Sequence, residues 1–301
     1  MDDRADGTVG YPASQAVTLG AVITAMVTPF DAEGRVDEAA AVRLMHHLLD
    51  HGSDGLVVGG STGESATLSD EELLGLVELA VREVGDRATI IAGTGANDTR
   101  HACALTAGAT ERGAHATLNV TPYYVKPNRR GIVAHYREVA RATDRPVLLY
   151  NIPGRTATDM PNDLLAELAQ IEHIEGVKQA RPTDLALVDG LDLYAGNDDM
   201  FCDVLELGGA GGILVAAHLV GDEMRRMVDE PGRRREIDAG LREIYAVMNV
   251  TTNPIPVKAA LNLLGHRVGG LRLPLVEADE AETRAVRETL ERHGLLQPAP
   301  A

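Results

Sequence analysis

Lys178 is the first residue of this sequence whose type and surroundings suggest chemistry. It lies in the run Ile-Glu-Gly-Val-Lys-Gln-Ala at 174–180, which the apolar pattern predicts as a buried strand. Only three of the 28 Lys and Arg residues are lysines, the others being Lys126 and Lys258. An amine can lose its proton when desolvated and attack a ketone to form a Schiff base, whereas arginine stays charged. The alternative is a strand-end lysine that snorkels to solvent, and the neighbouring strands must decide between the two.

Hydroxyl and guanidinium groups follow the ends of other predicted strands. Ser61 and Thr62 lie in a glycine-flanked turn, whose hydroxyls and backbone N–H groups can bind a carboxylate. Tyr150 lies in a further apolar run, and Arg155 follows it. Schiff-base chemistry needs such groups, because hydroxyls shuttle protons to the departing water and to the enamine carbon. Each residue alone also fits a tight loop, a packing aromatic or a surface arginine, so it is their convergence that favours catalysis.

Strand-like and helix-like segments alternate along the chain and would position these residues. Eight apolar runs at a spacing of roughly thirty residues predict the strands: 21–28, 55–60, 88–92, 116–121, 146–152, 174–180, 191–195 and 212–217. Each is expected to be followed by a helix, which predicts an α/β fold, a closed (β/α)₈ TIM barrel with a C-terminal helical extension. An open doubly wound sheet is the alternative, but it would normally carry a glycine-rich dinucleotide motif after the first strand, where Thr28-Pro29-Phe30 stands.

The barrel is predicted to occupy residues 20–230. Residues 1–19 are interpreted as an N-terminal extension, because they lack the basic start and apolar core of a signal peptide. Residues 231–301 carry helix-like patterning and are interpreted as a C-terminal helical segment with a role in assembly. Because the sequence has no run of eighteen apolar residues, a membrane span is not expected.

In a barrel of this kind the active site lies at the C-terminal ends of the strands. That rule selects the residues at the predicted strand ends: Ser61, Thr62, Tyr123, Tyr124, Tyr150, Arg155, Lys178, Gly196 and Ile213. The run Gly208–Gly212 suggests a competing phosphate cradle. Because this run precedes the eighth strand, it belongs to the opposite face of the barrel and is interpreted as a helix stop and tight turn.

Composition and charge limit the classes of function. The 301-residue chain has a formal net charge of -17, which argues against a nucleic-acid surface or an anionic membrane as partner. Cys103 and Cys202 lie far apart without a CxxC partner, so a reducing cytoplasm is expected. His47 and His51 share a helical face, but no acidic third ligand follows at a recognisable spacing, so a solvated face is favoured over a metal site.

With these residues in view, the sequence resembles the dihydrodipicolinate synthase family, within the larger group that includes N-acetylneuraminate lyase. The resemblance runs from about Ala21 to Val276, which is nearly the whole predicted fold. The motifs that carry it are Thr24–Phe30, Gly60–Glu64, Val120–Tyr124, Tyr150–Thr156, Gly176–Lys178, Asn253–Lys258 and Leu271–Pro274.

The resemblance implies a catalytic group of four residues. Lys178 would form the Schiff base with pyruvate, without any further cofactor or metal, and Tyr150 would act as proton donor and acceptor. Ser61 would supply the proton-relay hydroxyl. Tyr124 would complete that relay across a tight dimer interface, since such proteins are usually homotetramers built as dimers of tight dimers.

The resemblance also implies how substrates are held. Thr62 and the Ile213 backbone would hold the pyruvate carboxylate, and Gly196 is expected in the same binding site. Arg155 would receive the carboxylate of the second substrate, aspartate 4-semialdehyde, in a reaction of lysine and diaminopimelate biosynthesis. The expected partners are therefore a small keto acid and an aldehyde, with no nucleic acid and no membrane.

Two features depart from the synthase pattern and keep alternatives open. The synthase branch usually has threonine where Ser61 stands, and the lyases carry an acidic residue at a position like that of Asp199. Arg155 and the motif at Asn253–Lys258 favour the synthase branch. The alternatives are a sibling pyruvate-dependent aldolase that acts on a sugar-derived keto acid, and a non-catalytic keto-acid-binding paralogue.

Feedback by lysine is expected to be weak or absent. In lysine-sensitive members of the family the effector site uses an asparagine, a nearby acid and a tyrosine, and Asn97 and Tyr123 match two of these. His101 stands where the acid would be, while Asp70 and Leu73 replace histidines found in some sensitive members. An imidazole cannot attract the ε-ammonium of lysine as a carboxylate does.

Overall fold

A computed structural model describes residues 19–297 of the chain, so most of the predicted N-terminal extension lies outside the described residues. Eight parallel strands form a closed barrel in sequence order, and the eighth pairs with the first, Ile213 opposite Ile23. The strands are β1 Val22–Ala25, β2 Gly55–Val58, β3 Thr89–Gly93, β4 Ala116–Val120, β5 Val147–Asn151, β6 Ile174–Gln179, β7 Asp192–Ala195 and β8 Gly211–Leu214. The predicted TIM barrel is confirmed, and the open doubly wound sheet is wrong.

Helices surround this barrel and continue beyond it. They are α1 Glu38–Asp50, α2 Asp70–Val84, α3 Thr99–Glu111, α4 Arg129–Arg141, α5 Pro153–Thr156, α6 Asn162–Leu168, α7 Phe201–Leu207, α8 Ala217–Asp229, α9 Arg234–Val247, α10 Ile255–Leu263 and α11 Glu280–Arg292. A capping box opens α2, because the side chains of Ser69 and Glu72 each accept from the other's backbone N–H. None of these helices, within residues 19–297, has the length and apolar character needed to span a membrane.

The sixth strand departs from the prediction that every strand is followed by a helix. Within the described chain, residues 180–191 connect β6 to β7 without a helix, and only a bridge between Val188 and Leu191 interrupts the loop. Pro182 and Gly190 bracket this segment, and proline and glycine both disfavour a helix interior. The glycine-rich run is a helix stop as predicted: α7 ends at Leu207, and Gly208 adopts a left-handed φ of 88°.

The core lies in layers inside and outside the barrel. Side chains such as Ile23, Ile91, Leu148 and Ile213 fill the barrel interior. The outer layers join strands to helices, and the C-terminal segment takes part in them. Val257 and Leu261 of α10, with Leu290 of α11, belong to the cluster that α1 and α2 form against the barrel. The C-terminal helices are therefore packed on the barrel wall, while their predicted role in assembly stays a prediction.

Candidate active site

A cavity of about 430 Å³ opens at the C-terminal ends of the strands. Six residues predicted from the sequence line it: Ser61, Thr62, Tyr150, Arg155, Lys178 and Gly196. They come from four separate strand ends and their loops. The convergence on which the catalytic interpretation depends is therefore present in the fold.

Lys178 lies near the end of β6, beside Tyr150 of β5 and Tyr194 of β7 in the ladder. Its side chain is 5% exposed, and its Nζ lies 4.4 Å from the centroid of the Tyr150 ring. Desolvation lowers the pKa of Lys178 to about 7, helped by the Arg155 charge and opposed by the Asp198 charge. A large fraction of the amine is therefore neutral and nucleophilic at neutral pH.

Tyr150 supplies a hydroxyl and is buried to nearly the same extent as Lys178. Burial raises the pKa of Tyr150 to about 12, although the Arg155 charge and a hydrogen bond with Ser61 favour the phenolate. The phenol is therefore protonated at neutral pH. It can donate a proton to a group that develops negative charge and accept it back later.

The turn after β2 presents Ser61 and Thr62 to the cavity. Gly59, with a φ of 67°, begins the turn in the left-handed region that glycine favours. A Cβ on Gly63 would lie 3.1 Å from the carbonyl oxygen of Met26, so the turn sits tightly against the end of β1. The Thr62 hydroxyl accepts a hydrogen bond of 2.9 Å from Asn253 Nδ2.

Arg155 lies on the short helix α5, which follows β5 directly. Its guanidinium is exposed at the rim and donates to the carbonyl oxygen of Asn253 at 3.2 Å. This contact holds the side chain over the cavity while leaving N–H groups of its planar fork to face a ligand. A carboxylate is the group that this fork binds best.

Two sets of lining residues were given no role in the sequence analysis, although Asp198 lies at the predicted end of the seventh strand. Asp198 is buried three residues after the end of β7, and its Oδ1 accepts from the backbone N–H groups of Val215 at 2.9 Å and Ala216 at 3.0 Å. Burial raises the pKa of Asp198 to about 6. Met248, Asn249 and Asn253 also line the cavity, although they belong to the C-terminal segment that was interpreted as an assembly element. Asn253 lay in a recognised motif, which was the available signal.

The model of the dihydrodipicolinate synthetase family matches residues 18–293 of this chain. The chain belongs to that family. A relative from Desulforudis audaxviator, named 4-hydroxy-tetrahydrodipicolinate synthase, is 44% identical over 292 residues, covering 93% of this chain and 99% of the relative.

Solved structures agree with this family assignment. The dihydrodipicolinate synthase of Cyanidioschyzon merolae, described with lysine bound, superposes with a TM-score of 0.89 at 38% identity, covering 93% of this chain and 99% of that one. The enzyme of Acinetobacter baumannii, described as complexed with pyruvate, gives a TM-score of 0.89 at 34% identity and covers 93% of this chain and 100% of that one.

Two residues that the family resemblance selects do not line the Lys178 cavity in the single described chain. Tyr124 is 86% exposed, in a loop where its φ is 71°. Ile213 is fully buried in β8, where its side chain packs in the barrel interior. The relay role of Tyr124 and the carboxylate contact of the Ile213 backbone therefore stay predictions.

A second cavity of about 450 Å³ adjoins the first, and four residues line both: Ser61, Ile152, Arg155 and Asn253. On its wall His101 Nε2 lies 2.8 Å from Asp70 Oδ1. Tyr123 also lines this cavity. Of the residues discussed for lysine feedback, His101, Asp70, Leu73 and Tyr123 therefore line one cavity, and the Asp70 carboxylate already has a partner in the imidazole.

Proposed function

We propose that this chain condenses pyruvate with aspartate 4-semialdehyde to form 4-hydroxy-tetrahydrodipicolinate. The observation that carries the proposal is the buried amine of Lys178, whose pKa is lowered to about 7 beside the protonated Tyr150. A lysine in this state is a nucleophile for a ketone rather than a structural cation. The name of the Desulforudis audaxviator relative, and the pyruvate bound to the Acinetobacter baumannii enzyme, support the choice of substrates.

The covalent step starts at Lys178. Its neutral Nζ attacks the keto carbon of pyruvate, and the carbinolamine loses water to give a protonated imine. The imine then loses a proton from the pyruvate methyl group to give an enamine, whose carbon attacks the aldehyde. Attack of the second substrate's amino group on the former keto carbon closes the ring and releases Lys178. The amine is thus both catalyst and leaving group, and the proposal needs no separate cofactor.

Tyr150 and Ser61 would move the protons of these steps. Tyr150 is protonated at neutral pH, so it can protonate the departing hydroxyl group of the carbinolamine. We propose that Tyr124 from a second copy completes the relay to solvent. The exposed side chains of Tyr123, Tyr124 and Val125 after β4 support such an interface, and with it the dimer of tight dimers expected for the family.

Arg155 favours aspartate semialdehyde over a sugar-derived keto acid. Its fork faces the rim, where the carboxylate of the second substrate would lie, and bidentate recognition of a carboxylate is geometrically specific. Cys103 and Cys202 are free thiols, which supports a reducing cytoplasm as the place of reaction.

The test is trapping with sodium borohydride in the presence of pyruvate, followed by peptide mass mapping. We expect the reduced pyruvate adduct on Lys178, none on the exposed Lys126, and then turnover with aspartate semialdehyde but not with sialic acid. Turnover of a sugar acid instead would establish the sibling aldolase. Binding of pyruvate without any adduct would establish the non-catalytic paralogue.

A further inference from the structure

Lys258, the second buried lysine, lies on α10 and does not line the Lys178 cavity of the described chain. Lys258 Nζ donates to Glu64 Oε1 at 2.6 Å and to the carbonyl oxygen of Gly270 at 2.7 Å. The side chains of Lys258 and Glu64 are each 1% exposed, and 194 residues separate them in the sequence. Glu64 comes two residues after Thr62, whereas Lys258 lies on α10.

Burying two charges is costly, and stability alone is a poor reason to keep them. The desolvation penalty amounts to several kcal/mol for each ion, and well-packed apolar residues often replace such pairs without loss of stability. Here the geometry offsets much of that cost, because Lys258 Nζ also lies 4.2 Å from the centroid of the Phe30 ring. A pair with such specific geometry fixes the relative position of the two segments that carry it.

Arg272 fixes the other oxygen of the same carboxylate. Its backbone N–H donates to Glu64 Oε2 at 3.1 Å. Its guanidinium reaches both carboxylate oxygens of Glu72, at 2.6 and 2.8 Å, and the carbonyl oxygen of Thr67 at 2.8 Å. Both oxygens of Glu64 are therefore held by the C-terminal segment.

The anchored carboxylate controls the backbone of the turn that carries the hydroxyls. Glu64 has a φ of 55°, a left-handed conformation that a non-glycine residue keeps only when its surroundings hold it there. Its N–H donates to the carbonyl oxygen of Ser61 at 3.2 Å, which closes the turn. On the other side, Thr28 Oγ1 donates to the carbonyl oxygen of Gly63 at 2.6 Å.

We propose that the Glu64–Lys258 ion pair is a positioning device that holds Ser61 and Thr62 at the distance and angle the reaction needs. Within the described chain neither Glu64 nor Lys258 lines the cavity of Lys178, so both act through the turn. The proposal rests on the proposed function, since it takes Thr62 as a carboxylate ligand and Ser61 as a proton relay. The contacts of Arg272 and Thr28 hold the same turn from its two ends.

The test replaces the pair by near-isosteric uncharged residues in Glu64→Gln/Lys258→Met. We expect the KM for pyruvate to rise about tenfold and kcat to fall about 10- to 100-fold, because a misplacement of about 1 Å at a reacting group costs about that much. The KM for aspartate semialdehyde should stay within about twofold, since Arg155 contacts that substrate instead. A loss of stability alone would not raise the KM for pyruvate while leaving the KM for aspartate semialdehyde unchanged.

A matched control is Asp54→Asn, which removes a partly buried ion pair with Arg225 at the opposite end of the barrel. It should lower the melting temperature and leave both KM values and kcat unchanged below that temperature. If Glu64→Gln/Lys258→Met does not fold, the same two KM values and kcat are measured for Glu64→Asp instead. This substitution keeps the charge and shortens the reach of the side chain by one methylene.

Wild-type kinetics in either folded variant would overturn the proposal. Equal changes in both KM values would also overturn it, since they would indicate a general loosening of the site. Failure of the proposed function is distinguishable, because it would appear as absence of the borohydride adduct on Lys178 in the wild-type protein.

Discussion

Lys178 on β6 and Lys258 on α10 are both buried lysines. Their surroundings differ, and so do the roles that we assign to them. Burial lowers the pKa of each amine. The ammonium of Lys258 has a carboxylate and a carbonyl oxygen within 2.7 Å, which favour its charged form. The amine of Lys178 faces a cavity and an aromatic ring instead. A lysine becomes a nucleophile when burial comes without a close anion, and a structural cation when the anion is supplied.

The largest expected effect is the loss of catalysis in Lys178→Ala. We expect kcat to fall by at least about a thousandfold, because the substitution removes the amine that attacks the keto carbon. Steady-state assays with both substrates measure this loss. Lys126→Ala, which removes an exposed lysine, should keep wild-type activity. Comparable losses of activity in both variants would contradict the assignment of Lys178 as the nucleophile.

Substitution of each lysine by methionine should change the free energy of unfolding in opposite directions. Lys258→Met leaves the buried Glu64 carboxylate without its ammonium partner, so we expect a loss of about 3–5 kcal/mol in the free energy of unfolding. Lys178→Met removes a desolvated amine and should gain about 1 kcal/mol, as substitutions at strained active sites often do. Denaturant titrations measure both. Because the folded pKa of Lys178 lies below the unfolded value, this gain is full below pH 7 and vanishes as the pH rises towards 10.5.

Arg155→Leu should weaken the use of aspartate semialdehyde while leaving the chemistry of Lys178 intact. A hydrogen-bonded contact to a charged group contributes about 1.5–3 kcal/mol, which corresponds to roughly a 10- to 150-fold fall in kcat/KM for the aldehyde. Borohydride trapping with pyruvate alone serves as the internal control and should remain near the wild-type yield. An unchanged kcat/KM would indicate that the substrate of this site lacks that carboxylate.

The pH dependence of trapping should follow the amine of Lys178. Since only the neutral amine attacks, the initial rate should fall about tenfold for each pH unit below 7 and level off above it. Asp198 favours the charged form of Lys178, so Asp198→Asn should move the profile to lower pH. A profile that kept rising to pH 10 would mean that Lys178 is not desolvated in solution.

The smallest effect concerns lysine as an effector. Losing one charge-assisted contact to the ε-ammonium weakens binding by about one to two orders of magnitude, and here His101 replaces the acid and pairs with Asp70. We expect little inhibition of turnover by lysine at submillimolar concentrations. His101→Glu should increase the inhibition, and half-inhibition of the unmodified protein well below a millimolar would contradict the expectation.

The barrel and most of the cavity could be predicted because both depend on local signals. Apolar runs mark the strands, and the strand-end rule then gathers Ser61, Tyr150 and Lys178 at one mouth. The part that Lys258 plays could not be predicted in this way, because its partner Glu64 lies 194 residues away and nothing in the sequence pairs them. The same holds for Asn253, whose bond to Thr62 spans 191 residues. The missing helix after β6 reflects Pro182 and Gly190, which override the expected repeat.

The position of the C-terminal segment also sets the order in which a working enzyme can be made. A ribosome finishes all eight strands by Leu214, but Asn253, Lys258 and Arg272 are still to be synthesised. Until they emerge, the turn at Ser61–Glu64 lacks three of the residues that hold it. The strands are therefore complete in the sequence before the residues that position the hydroxyls, and Lys178 acquires its full set of neighbours only when the last fifth of the protein has packed against the barrel.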